Sequence, residues 1–252
     1  MLRFFRQIRQ RLITNNRFSK YLLYAIGEIL LVVIGILIAL SIDNWNEERK
    51  NNILKKSYIE NLVVDLNKDV ESLEELNIIN TFCEKEGLYL AQYLDGNLQK
   101  NDTIRLANSL VYVGFVPNAT IASSTYKDII ESNNISLFED VELKKSMDSY
   151  YIENEWERLL NDRIITTAWY QYRDEMLKYH SPVLYQDIYA SGSQPLTSYK
   201  PIYDVKWNHM KNNKFLKTQV GMLGSYRILL RRKFENRIEK AKDLLNYLEQ
   251  TK

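Results

Sequence analysis

The sequence is poor in the residues that staple or punctuate a fold. Its 252 residues include one Cys, two His, four Pro and eight Gly. A single Cys builds neither a disulfide framework nor a Cys-rich zinc module. The two histidines, His180 and His209, show no HxxxH or HExxH spacing, so metal chemistry has no ligand set to start from. Few Pro and Gly disfavour an all-β chain, in which each strand junction needs such residues. There is no GxSxG, GxxxxGK[ST] or GxGxxG and no internal repeat, which removes the motif-borne routes to hydrolysis and to phosphate or dinucleotide binding. Hydrophobic residues make up 45%, too many for a disordered chain. Long helices remain, and the expected fold class is all-α.

Charge is missing from one stretch above all. Tyr21–Ile42 reads YLLYAIGEILLVVIGILIALSI, and its only charge is Glu28. At about 1.5 Å per residue it crosses a hydrocarbon core of about 30 Å. Arg3, Arg6, Arg9, Arg11, Arg17 and Lys20 precede it with no acid among them, whereas Asp43, Glu47 and Glu48 offset Arg49 and Lys50 after it. The positive-inside rule places residues 1–20, the basic tail, in the cytoplasm and residues 43–252 outside. Tyr21, Tyr24 and Trp45 sit where aromatic belts form. A cleaved signal peptide competes, because Ala39-Leu40-Ser41 loosely fits a cleavage site. The apolar run exceeds the roughly 7–15 residues of a signal core, however, and no helix breaker follows it. Residues 21–42 are therefore read as an uncleaved transmembrane helix. Residues 1–42 carry net +5, which leaves −3 on the remainder of a chain whose total is +2. The pI near 8.4 thus belongs to the anchor and does not point to nucleic acid.

From Asp43 to Glu86 there is no Gly or Pro, and Ile59, Leu62, Val63, Leu66, Val70, Leu73 and Leu76 recur at helical spacing. The helix is expected to continue out of the membrane unbroken, with Gly87 and Asp95-Gly96-Asn97 as breaks. A shorter helix is expected at about Thr103–Val113, then a loop at Pro117-Asn118. Ser123-Ser124-Thr125 with Asp128 resembles a capping box ahead of a helix that Asn133-Asn134 ends. A second long helix is expected from Asp140 to about Tyr179, an extended loop over Ser181–Pro201, and a last helix over about Phe215–Leu248. Together these make an N-terminal transmembrane helix continuing into an antiparallel bundle.

Glu28 is the most pointed residue, since an ionisable group a few residues from the middle of a span is costly and points by default to function. Gly27 adjoins it, and Gly35-x-x-x-Ala39 forms a small-xxx-small pair seven residues on. Three roles stay open: helix packing or oligomerisation, a tolerated site near the headgroups, Lys20 and Tyr24, and ion translocation. His180 and His209 read as bundle-end or loop residues, and Cys83 as a buried small side chain. Tyr150, Tyr151, Trp156, Trp169, Tyr170 and Tyr172 suit an aromatic core better than a ligand cage. Arg227, Arg231, Arg232, Lys233 and Arg237 are expected as a solvated face pairing with acids such as Asp65, Asp69 and Glu74. No catalytic, cofactor-binding or metal-ligating residue is expected.

FFRQIRQRLI followed by KYLLYAIGEILLVVIGILIALSIDNWNEERK resembles the signature of an uncharacterised bacterial family of single-span membrane proteins, domain of unknown function 6090. STYKDIIESNNISLFEDVELKKSMDSYY is similar to that family's central segment, with Asn133-Asn134-Ile135 where a Ser-Gly-Asn-Leu-like turn usually stands. The resemblance implies a membrane anchor and a helical extracytoplasmic domain. It brings no catalytic residue, cofactor or substrate. The expected function is a periplasmic interaction, scaffold or sensor module anchored in the bacterial inner membrane. Its expected partners are the lipid bilayer and either another protein or copies of itself. An accessory subunit of a transport or energy-coupling complex, using Glu28, is the alternative.

Overall fold

Between Phe18 and Leu94 the chain has no Pro and three Gly, and a lone Gly costs a helix only about 1 kcal/mol. The outcome is α1, one helix of 77 residues spanning Phe18–Leu94. The computed structural model describes residues 18–99, 102–116, 120–152, 159–192 and 194–250. The expected loop at Pro117-Asn118 and Trp156 lie outside them. Gly87 is not a break. A Cβ there would meet Val113 Cγ2 at 3.7 Å, so this glycine lies inside the helix in ordinary contact with its neighbour. The break falls at Gly96, whose φ of +81° suits glycine, and the amides of Asn97 and Leu98 bond back to the Gln92 carbonyl.

The chain forms two compact units, residues up to Ser57 and residues from Tyr58 onward. In the first, the side chains from Leu22 to Ser57 are exposed, apart from the half-buried Ala25 and Lys55.

Among the described residues the second unit holds the rest of α1 and seven further α-helices: α2 (Thr103–Tyr112), α3 (Ser124–Glu131), α4 (Val141–Tyr151), α5 (Thr166–Met176), α6 (Val183–Ala190), α7 (Trp207–Lys211) and α8 (Lys214–Gln250). No strand occurs among the described residues, so the chain is all-α as expected. Ile59, Leu62, Leu66, Leu73 and Leu90 form the buried stripe of α1. One core gathers Leu90, Leu110, Tyr172, Leu184 and Leu216; a second gathers Leu62, Leu66, Phe138, Met147 and Leu244. A smaller cluster holds Leu73, Ile165, Leu230 and Phe234. Burying each such side chain contributes about 1.5–3 kcal/mol. Ion pairs Glu74–Lys242 at 2.7 Å, Glu84–Arg231 at 3.5 Å and Asp95–Lys217 at 3.3 Å fix the direction of α8 against α1. One residue number rises as the other falls, so the two run antiparallel.

Three local expectations change. The helix expected over Asp140–Tyr179 is broken, because α4 ends at Ile152 in extended backbone (φ −87°, ψ 110°); among the described residues beyond it, a π-helical stretch, Leu160–Ile165, leads into α5. Leu143, Met147 and Tyr150 before the break, and Ile165, Ala168, Tyr172 and Met176 after it, keep the same spacing, so periodicity runs straight through. The cause is tertiary: Tyr150 is tied to Asp69, and Tyr151 is stacked on Tyr126 at 4.6 Å. Within Ser181–Pro201, α6 replaces a continuous loop. Pro182 already takes helical φ and ψ at its start, Leu184 and Ile188 bury one face, and Gly192 (φ +71°) follows its end. The capping box also fails to form: Ser123 makes no side-chain cap bond, and the Thr125 hydroxyl donates to Asp65 at 2.7 Å instead. Asn133 does close α3, in the left-handed conformation at φ 55°, which Asn tolerates better than most residues other than Gly. The glycine of the resembled turn is therefore not needed here.

Candidate functional site

In the first unit, Glu28 stands on one helix face in a shallow apolar notch with Ala25, Ile29, Val32 and Val33. Gly35 and Ala39, seven and eleven residues on, share that face, whereas Gly27 lies about 100° away. A Cβ added at Gly27 or Gly35 would meet nothing within 4 Å. Trp45 is exposed two turns beyond Leu37. Lys20 falls in the first turn of α1. Arg3, Arg6, Arg9, Arg11 and Arg17 lie outside the described residues. The apolar window of α1 has a mean hydropathy of 2.7 and none of it is buried within the protein. A core helix of a soluble domain would be covered; this helix is long and apolar enough to cross a membrane.

In the second unit, the polar groups that matter sit inside. Arg227, expected on a solvated face, is 3% exposed. Its guanidinium donates to Asn80 Oδ1 at 3.3 Å and to the carbonyls of Tyr112 at 3.3 Å, Val113 at 3.1 Å and, very closely, Phe115. Asn80 returns a bond from Nδ2 to the Arg227 carbonyl at 2.9 Å. The carbonyls at the end of α2 are the ones a helix leaves unpaired, at the negative end of its dipole. Arg227 caps that end from α8, and burial pushes its guanidinium below the ordinary value.

Asp69 is the counterpart. It is buried, accepting from the Ala122 amide at 2.8 Å and from the Tyr150 hydroxyl at 2.8 Å. Burial holds its carboxyl above the usual range, with Asp65 adding to the shift and the nearby Arg237 opposing it. The Tyr150 phenol is pushed far up, by burial first and by its bond to Asp69 second. A carboxylate with two fixed donors clamps α1 to α4 and to the approach to α3. Glu86 acts alike, taking the Ser109 hydroxyl at 2.5 Å and Arg105 Nη2 at 3.2 Å.

The remaining basic residues of α8 divide. Arg231 reaches Glu84, Glu74 is held by Lys242, and Arg237 is buried near Asp69. Cys83 is buried as expected. His180 is buried, its Nδ1 at 2.9 Å from the Ser181 carbonyl, while His209 is exposed in α7, so the two do not converge. Among the described residues no three His, Cys, Asp or Glu side chains cluster as metal ligands. Tyr150 and Tyr172 are core residues, but Trp169 and the exposed Tyr170 instead flank Arg173, 4.9 and 4.8 Å from its guanidinium. The rings that looked alike in sequence serve two environments.

The model of a family of unknown function, DUF6090, matches residues 28–151. That stretch starts at Glu28 and includes Asp69 and Tyr150, but not Arg227. Neither a curated protein nor a solved structure matches the chain.

Proposed function

We propose that this chain, which carries the DUF6090 segment, is a membrane-anchored helical protein that works by binding another protein and not by catalysis. The observation that supports this reading is the uncovered apolar stretch of α1 set beside a second unit whose buried ionisable groups are tied to its own backbone and side chains. In this reading residues 21–42 cross a bacterial inner membrane, the basic tail stays in the cytoplasm, and residues 43–252 form a periplasmic interaction, scaffold or sensor module. The test has two parts. The chain should stay in the membrane pellet through an alkaline carbonate wash, and single cysteines placed at exposed positions of the second unit should react with an impermeant thiol reagent on cells whose outer membrane alone is opened. Release by the wash, or labelling only after the inner membrane is broken, would overturn the anchor or its orientation.

Glu28 supports a second reading, an accessory subunit of a transport or energy-coupling complex, because it is the sole charge in the apolar stretch. Glu28→Gln should then abolish the deletion phenotype's rescue at unchanged protein level. Full rescue would remove this reading.

A further inference from the structure

On α1, Glu28, Val32, Gly35, Ala39, Ile42 and Asn46 follow one another at steps of four and three residues, the spacing of a left-handed helix seam. All six are exposed within the first unit. The seam has a polar residue at each end and only apolar or small ones between, and Arg49, the next position, ends it with a charge. A carboxamide carries a donor and an acceptor in one group. Asn46 is therefore its own complement across a two-fold axis, where position 46 meets 46 and 28 meets 28. A heterologous helix would have to supply two matching polar groups eighteen residues apart; a second copy supplies both without further conditions. A single Asn at such a position is known to fix register and pairing, and an acid in hydrocarbon gains most from a polar partner.

We infer that α1 pairs with α1 of a second copy of this chain, parallel and in register, through the seam from Glu28 to Asn46. This rests on residues 21–42 lying in a membrane. The seam brings Ile42 against its copy, whereas Asn44 points about 160° away from Glu28.

The full-length chain is tested in carbonate-washed membranes as two variants, Ile42→Cys and Asn44→Cys, each keeping the buried native Cys83, and oxidised with copper phenanthroline. Ile42→Cys should give several-fold more disulfide dimer than Asn44→Cys. Adding Glu28→Leu should cut that yield several-fold, and adding Glu28→Gln, which keeps a polar group of the same size, should keep it. Equal cross-linking at the two positions, or a yield indifferent to Glu28→Leu, overturns the pairing while the anchor stands. Absence of the chain from the washed pellet overturns both.

Discussion

Leu31 and Leu66 belong to the same helix, yet Leu31 is 72% exposed and Leu66 is 0% exposed. The residue type does not decide this; the presence of other elements does. The first unit leaves apolar side chains uncovered, and the second draws charged ones inside and meets each with fixed partners. Hydrophobic surface left open on this scale exceeds the scattered exposure normal for soluble proteins. A buried guanidinium or carboxylate needs a complete polar shell.

The contrast can be broken most severely at Arg227. Arg227→Met leaves Asn80 Oδ1 and the Val113 and Phe115 carbonyls without this donor, and at about 1–3 kcal/mol for each buried acceptor left unsatisfied the loss should come to about 3–5 kcal/mol. For a unit of this size that lowers Tm by roughly 6–20 °C, read by near-UV circular dichroism of the detergent-solubilised chain. A melting curve that coincides with wild type would mean the buried cap contributes nothing. Leu66→Ala should follow, at about 2–5 kcal/mol for a truncated core leucine, while Leu31→Ala leaves the same transition unmoved. Equal effects at the two leucines would erase the distinction between the units.

Two smaller effects depend on pH. Burial sets the folded pKa of Asp69 above the ordinary 3.8, so its ionised form costs stability at neutral pH, and the cost disappears once the unfolded chain is protonated too. As pH falls towards 3.8, wild type should gain stability relative to Asp69→Asn in paired urea titrations; a constant difference would show that the clamp does not titrate. His180 has the reverse sign. Burial lowers its folded pKa beneath 6.5, so the neutral ring contributes stability in full above 6.5 and loses it as pH drops below. His180→Gln should therefore flatten the acid side of the stability profile as pH falls below 6.5, and an unchanged profile would assign that slope to other groups.

Much of this was legible beforehand. The long apolar helix, its unbroken continuation, the stripe from Ile59 to Leu73 and the last helix all follow from spacing, because each depends on residues within a few turns. The α4 break was not legible, since the ties at Tyr150 and Tyr151 come from residues far along the chain. The buried polar groups did leave a trace. Arg227 and Arg237 fall among Val220, Leu223, Leu230, Phe234 and Ala241, and Asp69 and Asn80 fall in register with Leu62, Leu66, Leu73 and Cys83. A charge repeated at core register signals a partner waiting inside. Grouping Arg227 with its neighbours Arg231 to Lys233 as one basic run hid that signal, because adjacency in sequence is not adjacency on a helix.

The cap on α2 has a consequence for how the chain is made. Asn80 and Arg227 are separated by 147 residues, and Arg227 meets Val113 across 114. During synthesis the end of α2 emerges without its Arg227 donor, which is translated more than 100 residues later, at about 5–20 residues per second. The bonds from Arg227 are thus ones the unit can form only after its C-terminal helix has been made.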